Sequence, residues 1–167
     1  MARILILVCP ALVAAVLFFP DAARGGQGLL YVHFFTSAIC PHCKQAESQL
    51  PGMLKRLPRL RLMTYQVLNA RGQADAVNIR NKKKLIGMIN GINTRLGGKP
   101  FIYEQKTPHS YSLVNGVPYY LKKISESTTV KKEVTIPVFI LGNRVYVGYQ
   151  QDLLLEALEE YNAGTVQ

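Results

Sequence analysis

Leu29 to Phe35 (LLYVHFF) is a short run of apolar, aromatic and β-branched residues, the pattern of a buried strand. Thr36 to Ile39 reads as a loop, and Cys40-Pro41 opens a helix that continues through Leu50. Proline suits the first helical position, because the N–H it lacks has no partner there in any case. Pro51-Gly52 is expected to kink this helix, or to end it before a further turn around Met53 to Leu57. Leu60 to Leu68 (LRLMTYQVL) alternates apolar and polar residues and predicts a second strand.

From Ala74 to about Leu96, the residues Ala76, Ile79, Leu85, Ile86, Ile89, Ile92 and Leu96 recur at helical spacing around Lys82-Lys83-Lys84. Gly87 and Gly91 weaken the centre of that helix, and Gly97-Gly98 supply a stop. Phe101 to Gln105 fits a short strand, whereas residues 106–134 have no clear period and fit a hairpin, a short helix or a lid. Ile136 to Leu141 reads as a strand, Gly142-Asn143-Arg144 as a turn and Val145 to Gly148 as the return strand. Gln150 to Tyr161 closes the chain as a helix with Leu153, Leu154, Ala157, Leu158 and Tyr161 on one face. A helix joining the first two strands makes them parallel, and the closing hairpin is antiparallel. The fold class expected is therefore α/β, a mixed sheet flanked by helices, in one domain.

The N-terminus is a different kind of sequence. Arg3 is followed by sixteen uncharged residues, Ile4 to Phe19, and then by Pro20, Asp21 and small residues. A positive start, a short apolar run and a small-residue exit describe a secretory signal, and the run falls short of the ~20 residues of a spanning helix. Residues 1–25 are read as a signal peptide, with an uncleaved anchor as the alternative and residues 4–19 as its membrane tether. Residues 26–167 form the folded domain.

Composition is that of a globular protein, 49 % hydrophobic and 18 % charged, with no Trp. The net charge of +10 falls to +9 without residues 1–25 and suits anionic partners. An exported chain rarely meets nucleic acid, so no nucleic-acid partner is expected, and Lys82-Lys83-Lys84 reads first as a solvated helix face. His33 lies mid-strand and reads as a satisfied core or face histidine; His109 falls in the stretch without period.

Export leaves two cysteines, Cys40 and Cys43, in Cys40-Pro41-His42-Cys43. At a strand-to-helix junction the first sulfur sits at the helix N-terminus, where backbone N–H groups and the helix dipole favour a thiolate over the free thiol's pKa of about 8.5. Cys40 is the expected nucleophile, Cys43 the resolving thiol one turn on, and His42 a group that favours the thiolate further. A stabilised reduced form makes the disulfide a stronger oxidant. Three other chemistries share this motif. Half a zinc site needs two more N or S ligands, and only His33, His42 and His109 offer imidazoles. Two soft thiolates suit Cu(I). An inert disulfide across so short a loop adds little stability.

The strand at 29–35, the Cys40-Pro41-His42-Cys43 helix start and Ile136-Pro137 before the last hairpin together resemble the thioredoxin-like superfamily. The resemblance covers roughly residues 28–68 and 135–161. It implies a thioredoxin-like fold in which Pro137 is the cis-proline facing the sulfurs. The backbone at Ile136 would pair with an extended substrate, and Pro41 would belong to the same substrate-binding surface. C-P-H-C is similar to exported oxidases of the DsbA type, which carry a helical insert between the second and third core strands; here it would span about 69–134. Ala38-Ile39 stand before Cys40 where that type has an aromatic pair or Trp, and Ile136 before Pro137 looks more like reducing thioredoxins. Small exported thioredoxin-like or glutaredoxin-like proteins are an equally good resemblance. The expected activity is extracytoplasmic thiol–disulfide exchange with protein substrates, oxidation slightly favoured, with a membrane redox partner resetting the dithiol. No cofactor or metal is expected. A pathway-specific reductase and a Cu(I)-binding module are the alternatives.

Overall fold

Strand β1 (Leu30–Ser37) is the element around which the rest assembles. The structure is a computed structural model that describes residues 28–114 and 136–165. The proposed signal peptide, residues 115–134 of the proposed insert, and Thr135 lie outside the described residues.

Helix α1 (Pro41–Leu54) returns the chain to β2 (Leu60–Leu68), which pairs parallel with β1 from Leu30↔Leu60 onward. Helix α2 (Ala76–Arg95) follows, then a hairpin of β3 (Ile102–Thr107) and β4 (Ser110–Val114). Strands β5 (Val138–Leu141) and β6 (Arg144–Val147) and helix α3 (Gln151–Ala163) complete the described chain. The sheet order is β2-β1-β5-β6-β3-β4, with β5 antiparallel to both β1 and β6 and β3 parallel to β6. This is the mixed α/β architecture expected, with six strands and, among the described residues, three helices.

The alternation along β1 divides the core. Val32 and Phe34 join Leu50, Met53, Phe139, Leu154 and Leu158 under α1 and α3. Phe35 faces the other way, into Val67, Leu85, Ile89, Val138 and Ile140 beneath α2. Each layer removes an apolar helix stripe from water, which is the main favourable term in holding these elements together.

Three expectations need correction. Pro51-Gly52 does not end α1; one helix runs from Pro41 to Leu54 with Pro51 inside it. An interior proline loses its N–H bond and crowds the carbonyl four residues back, but both residues are exposed while Ala46, Leu50 and Met53 on the opposite stripe stay buried. The insert is not wholly helical: after α2 it adds β3 and β4 to the sheet beyond β6. On α2, Ile79 faces solvent and Asn78 is buried. Asn78 is satisfied there, since its side chain accepts from Asp75 N and donates to Gln66 O, closing a capping box with Asp75.

Gly148 ties the hairpin to the strand ends. Its N–H donates to Pro137 O at 2.9 Å, and its carbonyl accepts from Tyr111 Oη at 3.3 Å. Its φ is +95°, and an added Cβ would stand 2.8 Å from Gln105 Cβ. Gly148→Ala is expected to cost about 1–3 kcal/mol, read as a lowered midpoint in urea denaturation.

Candidate functional site

The sequence places Cys40 at the end of the β1 loop, and the fold makes it the N-cap of α1. Its backbone is extended, its carbonyl accepts from Lys44 N, and its Sγ accepts from Cys43 N at 3.3 Å. A cap side chain normally supplies an oxygen to this orphan N–H; here a sulfur does it. Pro41 occupies the first turn, where its missing N–H costs nothing. Cys40 N donates to Ser37 O at 3.1 Å, closing the turn that aims the sulfur.

Both cysteines are free thiols, Cys40 half-exposed and Cys43 fully buried. The two behave oppositely as acids. Cys40 is lowered to about 6, chiefly because the Cys43 thiol donates to its sulfur. The amides of Cys43 and His42 and the charge of His42 add to this, against the cost of burial. Cys43 is pushed well above the ordinary thiol range, first by donating a hydrogen bond to the Cys40 sulfur and then by burial; the Thr36 hydroxyl and Ser37 backbone act the other way. One sulfur is thus a ready nucleophile at neutral pH and the other holds its proton.

Ile136 lies ninety-six residues further along and meets the same sulfur: the Cys40 thiol donates to Ile136 O at 3.7 Å. The Ile136–Pro137 peptide bond is cis. The six residues singled out from the sequence fall into two groups. Cys40, Pro41, His42 and Cys43 share the start of α1, and Ile136-Pro137 stands at the entry to β5 beside them. His42 and Pro41 are exposed; Pro137 is buried, so the Ile136 carbonyl is the part of this dipeptide that meets Cys40.

Thr36 and Glu47 were not legible as site residues. Thr36 is fully buried at the end of β1 and donates to Glu47 Oε1 at 2.8 Å, pinning α1 to the strand beneath Cys43. The available signal was spacing: Glu47 follows Cys43 by four residues and so lies on the same helix face. Ile39, exposed beside Cys40, is backed by the Asn69–Gln73 loop, where a Cβ on Gly72 would come 3.0 Å from Ile39 Cδ1. His33 is, as expected, a face histidine: Nδ1 lies 3.2 Å from Tyr65 Oη on the α2 side of the sheet. Among the described residues, no group of three or more His, Cys, Asp or Glu side chains is arranged to hold a metal ion.

The acid asymmetry has a direct readout. Thiolate absorbance of the reduced protein is expected to rise by one thiolate with a midpoint near pH 6, and Cys40→Ser is expected to remove that step. The sign for stability follows. A lowered folded-state pKa stabilises the reduced fold fully above the free-thiol value of about 8.5, and this is lost as pH falls through about 6. Denaturation of the reduced protein at pH 5.5 and pH 8 should show the gain at the higher pH, and Cys40→Ser should shrink that difference. What is left, of the same sign, comes from His33, which burial and Lys84 hold below the ordinary imidazole range.

No family model, curated protein or solved structure matches this chain.

Proposed function

We propose that this protein is an extracytoplasmic thiol–disulfide oxidoreductase of thioredoxin-like fold that exchanges disulfides with protein substrates. The observation that carries the reading is the pairing of a lowered Cys40 and a buried, proton-holding Cys43 at one helix N-terminus, with the Ile136 carbonyl against the nucleophilic sulfur. The strand order β2-β1-β5-β6, with α1 leaving β1 and cis-Pro137 entering β5, supports the same fold family.

In the oxidising direction, a substrate thiolate attacks Cys40 of the oxidised pair. The Cys40–Cys43 bond breaks, and Cys43 leaves as a thiolate and takes up a proton. A second substrate thiolate then attacks the substrate sulfur of the mixed disulfide, and Cys40 leaves. Cys40 is the better leaving group of the two because its thiolate is stabilised, which favours the reduced protein and hence oxidation of substrate. The backbone at Ile136 would hold the substrate extended across the sulfur. A membrane redox partner would reoxidise the pair. The reverse sequence, with Cys43 attacking the mixed disulfide, is reduction.

The deciding measurement is the reduction potential of the Cys40–Cys43 couple against glutathione. A value near about −120 mV marks an oxidase and one near about −270 mV a reductase. No exchange with a small disulfide, together with equimolar copper that Cys→Ser changes remove, would replace this reading with Cu(I) binding. Fractionation and N-terminal sequencing of the produced protein test export.

A further inference from the structure

The dithiol occupies one end of the sheet; the opposite end has a character of its own. β1 and β2 begin there, the β5–β6 turn lies there through the Val32↔Leu141 pairing, and α2 and α3 finish there. Arg95 donates to Asn143 Oδ1 at 2.9 Å and Arg59 to Asn162 O at 2.6 Å, which fixes both helix ends to this side. Lys55, Arg56, Arg61, Arg95 and Lys99 are exposed at this end. The described acids here are Glu159 and Glu160, and Glu160 is spent on Arg144 at 3.1 Å. Glu47, Asp75, Glu104 and Asp152 lie at the dithiol end instead, through Thr36, the α2 N-cap, the Val147 row and the first turn of α3. Lys44, Arg71, Arg80 and Lys106 stand at the dithiol end with these four acids, so among the described residues the unbalanced positive charge lies where β1 begins.

The basic end is also apolar. On β1 and β2, helix α2 covers this sheet face only as far as Phe35 and Tyr65, with Lys84 Nζ 4.3 Å above the Tyr65 ring. Beyond that limit Tyr31 is 48 % exposed, Met63 40 % and, at the strand entry, Leu29 52 %. Arg61 pairs across from Tyr31 on this face. Apolar side chains and an aromatic hydroxyl set among arginines and lysines match the headgroup layer of an anionic bilayer. In the alternative in which the apolar run is kept as an anchor, the chain leads the same way: nine residues, 20–28, separate Leu29 from Phe19, a reach of at most about 30 Å. Among the described residues no helix is long and apolar enough to cross a membrane, so contact by the domain itself would be peripheral.

We propose that this end of the domain docks on an anionic phospholipid surface. Its three exposed apolar side chains enter the headgroup layer and its basic residues face lipid phosphates. β1 then holds the dithiol about 25 Å from the surface, at its eight-residue length. This goes beyond the redox reading and does not depend on it.

The chain contains no Trp, so Tyr31→Trp and Ile39→Trp each place one reporter, at the basic end and the dithiol end. Each is made in the full chain as the cell produces it. It is then combined with bilayers of phosphatidylcholine alone or with about one-third phosphatidylglycerol. The expected result is that Tyr31→Trp emission moves to shorter wavelength, and is quenched by brominated acyl chains, when phosphatidylglycerol is present. Ile39→Trp should change in neither bilayer. Combining Lys55→Glu, Arg61→Glu and Lys99→Glu should lower the phosphatidylglycerol-dependent binding at least about a hundredfold, at roughly fivefold per charge. All three positions are exposed, and an unchanged melting temperature verifies the fold. A Tyr31→Trp signal blind to lipid charge, equal quenching of both reporters, or binding that survives the triple reversal overturns the proposal. A shift that tracks protein concentration without lipid assigns the face to a second copy of the chain and overturns it as well. Failure here leaves the exchange assay untouched, so the two readings fall separately.

Discussion

Cys40→Ser is expected to abolish disulfide exchange, lowering the rate on the order of a thousandfold or more, because no other exposed thiol exists among the described residues to carry the attack. Cys43 cannot stand in: it is fully buried, and burial still raises its thiol when the Cys40 sulfur is gone. The assay is thiol release from a small disulfide, followed at pH 7 with equal amounts of each variant. Cys43→Ala should behave differently. It keeps the attacking sulfur but loses the resolving one, so substrate-linked species should accumulate on non-reducing gels and vanish with added thiol. Cys43→Ala also removes the donor that most lowers Cys40, so its thiolate titration should move toward the ordinary thiol range. Full exchange activity in Cys40→Ser would end the mechanism. An unmoved titration in Cys43→Ala would show that the helix amides, not the neighbouring thiol, set the acidity of Cys40.

Phe34→Ala should produce the largest loss of stability at a single apolar position. Phe34 is fully buried in β1 and lies flat against Phe139 of β5, ring centroids 4.8 Å apart and planes within 4°. The substitution removes the buried rings' mutual contact and leaves a cavity between the sheet and α1. A cost of about 3–5 kcal/mol is expected. For a chain of this size that corresponds to a melting temperature lower by roughly 10 °C. Chemical denaturation of the oxidised protein, where thiol ionisation plays no part, is the clean measurement. A change below about 1 kcal/mol would mean that the layer under α1 and α3 is packed otherwise than described.

Much of this was readable in the residues because local signals agreed with the final packing. The alternation in Leu60 to Leu68 matches β2 from end to end, and the Asn143 turn matches the β5–β6 hairpin. The proline and cysteine at the start of α1 are helix-start chemistry, so the position of the sulfur followed from them. What failed were features decided by tertiary contact. Pro51 sits within a helix because the buried stripe around it outweighs one lost backbone bond. Ile79 looked like a core position by spacing alone, yet Asn78 takes the inward place because two backbone groups, Asp75 N and Gln66 O, await its amide. β4 carries a weak pattern, with only Leu113 and Val114 aliphatic, because it gains its place by pairing with β3 and by two half-buried side chains, Tyr111 and Val114, on opposite faces. The meeting of Ile136 with Cys40 joins residues far apart in the chain; no local periodicity encodes it.

The hairpin after α2 has a consequence for how the protein behaves at high concentration. Without β3 and β4 the sheet would end at β6, leaving the free edge of that short apolar strand next to the Ile136–Pro137 entry. Exposed edges of that kind template cross-chain pairing and aggregation. The hairpin makes β6 an interior strand, and among the described residues the boundary moves outward to β4, whose residues are largely polar. At the other boundary, β2, the Gln66 carbonyl is already taken by the Asn78 and Asn81 side chains. An extended partner chain is thereby denied continuation along the sheet at β6 and directed to the backbone left at the strand ends, where Ile136 and Cys40 are waiting. If the protein exchanges disulfides with polypeptides as proposed, capture of an extended chain and resistance to coaggregation with it would be separated by these two strands.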